Sequence, residues 1–304
     1  MAGNMAKASR SANTWQAPQW AKRDEPAWSR PASPRPGGVD PLLNRLLADL
    51  FRPRQQPDAS VRQRLSSQDW PAVIYAIGDV HGCLAQLQDL TAQIVADAAD
   101  IAGEKWIVML GDYIDRGPDS AGVIEVLQAP APAGFRRICL TGNHETLMLE
   151  FIDSPSPTAS WLRWGGLETL GSYGIAGNRM AELSRSAMIA VLTSHVPDEH
   201  LRFLRELPVS LSLPGVIFVH AGLRPGVPLE QQRLEDLLWI REPFLSEPGE
   251  PGQLVVHGHT PALEPEITQG RIGIDTGAFQ GGPLTAVRLQ QGRDPIFLFA
   301  WPPP

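Results

Sequence analysis

The feature that most constrains this chain is a short apolar run that ends at a glycine and is followed at once by carboxylate and imidazole side chains. The first instance is Val73-Ile-Tyr-Ala-Ile-Gly-Asp-Val-His-Gly82. Four later segments repeat the arrangement after apolar residues: Gly111–Gly117, Gly142–Glu145, His220–Gly222 and His257–Thr260. An apolar run of this length bounded by glycine is typical of a buried strand. We therefore expect polar side chains to lie at the ends of several buried strands.

Helical and strand patterns alternate along the chain. Strands are expected over 73–77, 106–110 and 138–140, and helices over 84–95, 119–127 and 144–152, which is the pattern of βαβ units. Further strands are expected over 216–219, 254–256, 272–275, 284–289 and 296–299. The pattern predicts an α/β fold with two mixed sheets flanked by helices. The segment between Ser154 and Leu213 is mostly helical and predicts a cap insertion beside the site.

The N-terminal 70 residues differ in composition from the rest. They are rich in Pro, Ser, Ala and Arg and are expected to form a flexible arm, with a short amphipathic helix where leucines recur between Leu42 and Leu50. The catalytic domain is expected to span residues 71–304. The arm carries a basic excess but no dense basic cluster, so specific nucleic-acid binding is not expected.

Composition excludes several protein classes. At 43% hydrophobic content, 304 residues can bury a substantial core, and the longest apolar runs fall well short of the roughly 18 residues that a membrane-spanning helix needs. The sequence has two cysteines, which cannot make a disulfide framework, so a reducing cytoplasm is expected.

The polar side chains at the expected strand ends are candidate metal ligands. These side chains are Asp79, His81, Asp112, Asn143, His220 and His259. Carboxylate, imidazole and amide groups without thiolate suit divalent ions, with Mn²⁺ preferred and Fe²⁺ or Zn²⁺ as alternatives. Five of the seven histidines lie in these segments, which favours a shared site over isolated structural histidines.

These five segments, in this order, resemble the motifs of the phosphoprotein phosphatases, bacterial and phage type, within the calcineurin-like metallophosphoesterases. The quoted motifs are Gly78-Asp-Val-His-Gly82, Gly111-Asp-Tyr-Ile-Asp-Arg-Gly117, Gly142-Asn-His-Glu145, His220-Ala-Gly222 and Gly258-His-Thr260. The resemblance covers about residues 72–290 and implies a β-sandwich flanked by helices with a dinuclear metal centre.

The resemblance also implies a role for each matching residue. Asp79 and His81 would bind the first metal, Asp112 would bridge, and Asn143, His220 and His259 would bind the second. His144 would be the catalytic histidine and Asp115 the carboxylate that orients it. His257 falls where the family has no ligand and is expected to be structural.

General chemistry leads to a compatible mechanism. Two cations neutralise an anionic phosphate ester and activate a bridging hydroxide for in-line attack. Arg116, Arg241 and Asn143 are expected to bind the phosphate, and His144 to protonate the departing alkoxide. A covalent cysteine route is not expected, because neither Cys83 nor Cys139 begins a Cys-x₅-Arg phosphate loop.

The sequence leaves the substrate open. The favoured interpretation is a protein phosphatase acting on phosphoserine, phosphothreonine or phosphotyrosine. The dinucleoside polyphosphate hydrolases share the metal motifs but lack an aspartate at the position of Asp115, which this chain has. A diadenosine tetraphosphate hydrolase is the alternative, and an inactive phosphopeptide-binding scaffold is a third reading. Thr141 stands where many relatives have arginine, and the segment 275–279 replaces the C-terminal loop of eukaryotic relatives.

Overall fold

The computed structural model describes residues 62–268 and 270–303. Strands form two sheets and bear the functional loops at their ends. The strands are β1 Arg64–Ser66, β2 Val73–Ile77, β3 Lys105–Met109, β4 Phe135–Cys139, β5 Ser210–Leu213, β6 Val216–Val219, β7 Leu254–His257, β8 Glu266–Thr268, β9 Arg271–Gly273, β10 Leu284–Leu289 and β11 Ile296–Ala300.

Helices lie mainly between the strands of the first half and in the inserted segment. The α-helices are α1 Leu84–Asp97, α2 Ser120–Gln128, α3 Asn143–Asp153, α4 Gly166–Ser172, α5 Arg185–His195, α6 Asp198–Glu206 and α7 Leu234–Trp239. Short 3₁₀ turns cover Ser160–Arg163, Gly177–Glu182, Leu229–Gln231 and Ala278–Gln280.

The five-stranded sheet has the order β11-β10-β2-β3-β4. Strands β2, β3 and β4 are parallel, and β10 and β11 add antiparallel strands at the other edge. Helices α1 and α2 form the connections between the parallel strands, as crossover connections require. The carboxyl ends of these three strands therefore meet at one edge of the sheet.

The six-stranded sheet has the order β1-β5-β6-β7-β9-β8. Its central strands β6, β7 and β9 are parallel, whereas β5 pairs antiparallel with β6 and β8 pairs antiparallel with β9. Because β6 and β7 run in the same direction, the segments that follow them, with His220 and His259, begin at the same end of this sheet.

The two sheets pack face to face, and helices cover the outer face of the first. On β2, Ile74 and Ala76 belong to the core between the sheets with Phe218 and Val256, whereas the alternate residues, including Tyr75, face the helices. Both faces of β2 are buried, which explains why its sequence is apolar throughout rather than alternating. The expected α/β architecture of two mixed sheets flanked by helices is confirmed.

The inserted segment is helical except at its end. The sequence assigned all of residues 154–213 to a mostly helical cap, but Ser210–Leu213 forms β5 and pairs with β6. The reason is tertiary: this four-residue stretch gains its hydrogen bonds from two neighbouring strands. Propensity in so short a segment cannot reveal that pairing.

The folded domain begins earlier than residue 71, which corrects the expected boundary. Strand β1 pairs parallel with β5, and the Trp70 Nε1 atom donates to the carbonyl oxygen of Pro214 at 2.9 Å. Three residues at a sheet edge carry no periodic signal, so the sequence placed them in the arm. The expected helix between Leu42 and Leu50, and the rest of the arm before residue 62, lie outside the described residues.

Among the helices of residues 62–268 and 270–303, none combines the length and apolarity needed to cross a bilayer.

The core between the sheets gives a stability prediction. Phe218 is fully buried there, so Phe218→Ala should lower the free energy of unfolding by about 3–5 kcal/mol through lost burial and a residual cavity. Ile267 is 57% exposed on β8, so Ile267→Ala should change it by no more than about 0.5 kcal/mol. Urea unfolding of the chelator-treated variants measures both. Equal losses would contradict the assignment of Phe218 to the core.

Candidate active site

The site lies where strands of both sheets end. Asp79 and His81 follow β2, Asp112 follows β3, and Asn143 begins α3 shortly after β4. The second sheet supplies His220 after β6 and His259 after β7. The structure thus brings together all six residues that the sequence predicts as ligands, and each is buried.

The backbone of the site is strained. Within the described residues, all non-glycine residues with positive φ are residues of the predicted site: His81, Asp112, Asp115, Arg116 and His259, with φ between 44° and 73°. Such conformations cost on the order of 1–3 kcal/mol each and persist only where the surroundings enforce them. Because the strained residues are concentrated in these loops, the loop conformations indicate a functional site rather than a contribution to stability.

Two motif glycines allow the loops to approach each other. A Cβ atom on Gly142 would lie 2.1 Å from the Asp112 Oδ1 atom, and one on Gly258 would lie 2.0 Å from the Asp79 Oδ1 atom. Both contacts are far too short for a real side chain. These glycines are required because the carboxylates lie directly against the neighbouring backbone.

Glu145 ties two of the loops together, although the sequence analysis gave it no role. Its carboxylate accepts hydrogen bonds from the backbone N–H groups of Asp112 at 2.9 Å, Tyr113 at 2.8 Å and Gly142 at 2.7 Å. Glu145 is fully buried at the third position of α3. Glutamate three residues after the N-cap residue Gly142 is the half of the capping-box pattern that could have identified it, because its carboxylate accepts from the N-cap N–H.

Asp112 lies at the centre of the cluster. Its Oδ2 atom is 3.4 Å from His220 Nε2, 3.6 Å from His81 Nε2 and 3.9 Å from His144 Nε2. The Nδ1 atoms of His81 and His220 point away and contact the carbonyl oxygens of Ile114 at 2.7 Å and Leu110 at 3.1 Å. This anchoring places the hydrogen on Nδ1 and leaves the Nε2 lone pairs directed at the cluster, as in histidines that bind metals.

Asn143 supports the presence of a cation. Its Oδ1 atom is 2.8 Å from His220 Nε2 and 3.2 Å from His259 Nδ1. Because His220 carries its hydrogen on Nδ1, its Nε2 and the amide oxygen are two lone-pair atoms that face each other. Burial lowers the pKa of His220 although the charge of Asp112 opposes this, and the shift favours the neutral ring. A positive ion between these atoms would convert their repulsion into binding, so the donor set fits a divalent metal.

The buried carboxylates lead to the same conclusion. Burial, together with Asp275 and Asp112, raises the pKa of Asp79 well above its usual range. Burial and the charge of Asp112 likewise raise the pKa of Asp275 to about 6, although Asp275 Oδ1 accepts a 3.0 Å hydrogen bond from the Gly277 N–H. Several ionised carboxylates that are buried away from solvent need compensating positive charge. Asp275 was not predicted as a site residue, since no local motif marks it.

His144 differs from the other three histidines of the cluster in the direction in which its surroundings shift the pKa. Burial is the largest factor that lowers the pKa of His81, His220 and His259. Burial acts in the same direction at His144, but the carboxylates of Asp112 and Asp115 outweigh it and raise the pKa of that ring. Environments that separate pKa values in this way distinguish a proton donor from metal-binding groups.

His144 and Asp115 form a buried pair. The His144 Nδ1 atom is 2.6 Å from Asp115 Oδ2. The same carboxylate accepts hydrogen bonds from Trp161 Nε1 at 2.8 Å and Thr169 Oγ1 at 2.6 Å. The His144 Nε2 atom remains on the side of Asp112 and Arg116. The arrangement fixes the imidazole ring and presents one nitrogen to the centre of the site.

The two predicted arginines lie at different depths. Arg116 is half-buried, and its Nη2 atom is 3.1 Å from His144 Nε2. Arg241 is exposed and makes no side-chain hydrogen bond or ion pair with the residues that the structure describes. Burial raises the pKa of Asp275, and the positive charges of Arg116 and Arg241 oppose that rise. Arg241 is thus free to meet an anion at the site.

Aromatic rings that no local motif in the sequence marks line two sides of the cluster. The Phe279 ring lies 4.6 Å from the Arg116 guanidinium carbon and 5.0 Å from the His81 ring. The Trp239 ring lies 6.1 Å from His259 and 5.7 Å from Trp164. Phe279 belongs to the segment 275–279, which replaces the C-terminal loop of eukaryotic relatives.

His257 lies outside the donor cluster. Its Nδ1 atom is 3.0 Å from the Gly258 carbonyl oxygen and its ring packs on Phe244 at 5.1 Å. Burial lowers the pKa of His257 to about 4, so the ring is neutral. This packing agrees with the structural role expected for it.

Comparison with known proteins agrees with this geometry. A family model described as calcineurin-like phosphoesterase matches residues 72–295. Serine/threonine-protein phosphatase 1 of Salmonella typhimurium is 28% identical over 76% of this chain and 97% of its own length. Bis(5'-nucleosyl)-tetraphosphatase PrpE of Oceanobacillus iheyensis is 27% identical over 71% of this chain and 88% of its own length.

Solved structures share the fold. A candidate diadenosine tetraphosphatase superposes with a TM-score of 0.57 at 22% identity, covering 79% of this chain and 99% of that chain. The cold-active protein-tyrosine phosphatase of a psychrophilic Shewanella species superposes with a TM-score of 0.51 at 17% identity, covering 80% and 84%. At these identities the likeness concerns the architecture alone.

The buried carboxylates predict how stability depends on metal and pH. Since the folded-state pKa of Asp275 is raised from 3.8 to about 6, its contribution to metal-free stability is complete below the unfolded pKa and is lost as the pH rises through the folded value. A metal replaces the proton, so Mn²⁺ should raise the thermal unfolding midpoint more at about pH 8 than at about pH 5. Differential scanning calorimetry with Mn²⁺ or chelator measures this. An equal rise of the unfolding midpoint at both pH values would contradict the prediction that a metal replaces protons on these buried carboxylates.

Proposed function

The chain belongs to the calcineurin-like phosphoesterases, and we propose that it is a metal-dependent phosphomonoesterase acting as a protein phosphatase on phosphoserine and phosphothreonine, with phosphotyrosine as a further substrate. The observation that carries this proposal is the buried His144–Asp115 pair, with its 2.6 Å hydrogen bond and its second imidazole nitrogen directed into the site. The pair provides a proton donor beside the phosphate.

The need for a proton depends on the leaving group. Serine and threonine leave as strongly basic alkoxides, which must be protonated as the P–O bond breaks. Asymmetric cleavage of a dinucleoside tetraphosphate instead releases a nucleotide phosphate, which is far less basic. A histidine whose pKa is raised by Asp112 and Asp115 against the effect of burial is therefore suited to the alkoxide.

Six residues would hold two divalent ions. Asp79 and His81 would bind the first, Asn143, His220 and His259 the second, and Asp112 would contact both. Mn²⁺ is the preferred identity for this oxygen and nitrogen donor set, with Fe²⁺ or Zn²⁺ as alternatives. When bound, such ions neutralise the charge of the phosphate and lower the pKa of water.

The remaining side chains bind and orient the ester. Arg116 and Arg241 would donate to the non-bridging phosphate oxygens, with the Asn143 amide as a further contact. Phe279 limits the movement of Arg116, because the guanidinium lies against its ring. His144 would transfer its Nε2 proton to the leaving oxygen while Asp115 stabilises the ring.

A covalent cysteine intermediate has no support from the thiols. Burial raises the pKa of Cys83 to about 11 and that of Cys139 to about 12, so both thiols stay protonated at neutral pH. Thiolate is the nucleophilic form of cysteine. A single displacement at phosphorus is therefore proposed.

A second candidate is hydrolysis of dinucleoside polyphosphates. The observation that favours it is sequence similarity: several PrpE proteins match at 26–27% identity over 71% of this chain, close to the 28% of the Salmonella phosphatase. The two activities share the metal chemistry, so substrate preference has to distinguish them.

The test compares substrates directly. Mn²⁺-loaded enzyme is assayed on phosphoserine, phosphothreonine and phosphotyrosine peptides and on diadenosine tetraphosphate, with and without chelator. We expect chelator-sensitive release of phosphate from the peptides, and a loss of about 10²–10⁴-fold in kcat on phosphoserine for His144→Asn. The loss should be smaller on phosphotyrosine, because phenolate is the weaker base.

Other outcomes would change the assignment. Turnover of the dinucleotide alone would replace the protein phosphatase by the second candidate. Binding of phosphopeptide without any turnover would indicate a scaffold that has lost catalysis.

A further inference from the structure

The inserted segment reaches the site at two buried side chains. Trp161 lies in the 3₁₀ turn Ser160–Arg163, and Thr169 lies in α4. The exposed fraction is 1% for Trp161 and zero for Thr169 and Asp115. Trp161 Nε1 donates to Asp115 Oδ2 at 2.8 Å, and Thr169 Oγ1 donates to Asp115 Oδ1 at 2.6 Å.

In the hydrogen-bond network around Asp115, each polar hydrogen can be assigned to one donor and its acceptors. Thr169 uses its one hydroxyl proton on Asp115 Oδ1, so it must accept from the Asp115 N–H at 2.8 Å and from Ser120 Oγ at 3.0 Å. Ser120 Oγ in turn accepts from the Asp115 N–H at 3.0 Å. Both the carboxylate and the backbone of Asp115 are therefore held, at a φ of 73° that most residues avoid.

We propose that Trp161 and Thr169 are positioning residues for the reaction, through which the inserted segment completes the Asp115–His144 pair. The inference rests on the acid role of His144 under the proposed function. Within the described residues, the catalytic loops supply only the His144 bond to this carboxylate, and the other two side-chain donors come from the insertion. Without them a buried carboxylate would lose partners and its orientation.

A purely structural role for Trp161 must be separated from this one. Its ring packs on Phe151 at 4.8 Å and also fills the space beside Gly166. Trp161→Phe keeps an aromatic ring and removes the N–H donor. Thr169→Val keeps the shape and removes the hydroxyl, whereas Thr169→Ser keeps the hydroxyl.

A matched control comes from the same segment. The Tyr173 hydroxyl lies 2.8 Å from His200 Nδ1, and among the hydrogen bonds of the described residues none joins it to Asp115. Tyr173→Phe therefore removes one partly buried hydrogen bond of the insertion and leaves the hydrogen bonds of the pair intact. It should lower stability slightly and leave catalysis unchanged.

The experiment measures kcat and KM for each Mn²⁺-loaded variant on aryl and alkyl phosphates with graded leaving-group basicity. On dinitrophenyl phosphate, Trp161→Phe and Thr169→Val should stay within about twofold of wild type, because this leaving group needs no proton. On phenyl and alkyl phosphates, kcat should fall on the order of 10- to 100-fold with little change in KM. Thr169→Ser should restore it, and Tyr173→Phe should show no leaving-group dependence.

The results distinguish the positioning role of Trp161 and Thr169 from the acid role of His144. Equal losses on every leaving group, or no loss at all, would overturn the positioning role. If His144→Asn shows the leaving-group dependence while Trp161→Phe and Thr169→Val do not, the inference is wrong and the proposed function stands. If His144→Asn shows none, the acid role fails and the inference fails with it.

Discussion

The structure of the site depends on one buried carboxylate, that of Asp112. Imidazole nitrogens from both sheets approach its Oδ2 atom, His81 from the first and His220 from the second, at 3.6 and 3.4 Å. A carboxylate in such a place is costly unless positive charge meets it. Asp79 and Asp275 add to the requirement, since burial and the negative charge of Asp112 raise the pKa of both. The groups that the fold brings together around Asp112 fit a divalent cation.

The sandwich makes this assembly possible. The parallel strands β2, β3 and β4 deliver their carboxyl ends to one edge of one sheet, and β6 and β7 do the same for the other. The strained loops after them are held by rigid partners such as Glu145, which binds three backbone N–H groups. The inserted segment then contributes to the pair formed by Asp115 and His144 rather than only covering it.

Much of this could be predicted from the sequence because the informative residues are local. A buried strand that ends in Gly-Asp-x-His or Gly-Asn-His-Glu identifies both its own position and its candidate ligands, so the sequence alone predicts the sandwich and the cluster of polar side chains. Short edge strands such as β1 were missed, since their hydrogen bonds come from distant residues. Asp275, Phe279, Trp161 and Thr169 were missed for the same reason: only the tertiary fold places them against the motif residues.

The most direct test of the account is the metal content of the purified protein and of two variants, measured by mass spectrometry after loading with Mn²⁺ and removal of free metal. The account predicts about two ions per wild-type chain, about two in His144→Asn, and loss of both in Asp112→Asn, whose carboxylate would be shared. Retention of both ions by Asp112→Asn, or their loss from His144→Asn, would contradict the assignment of Asp112 as the common ligand and of His144 as the proton donor.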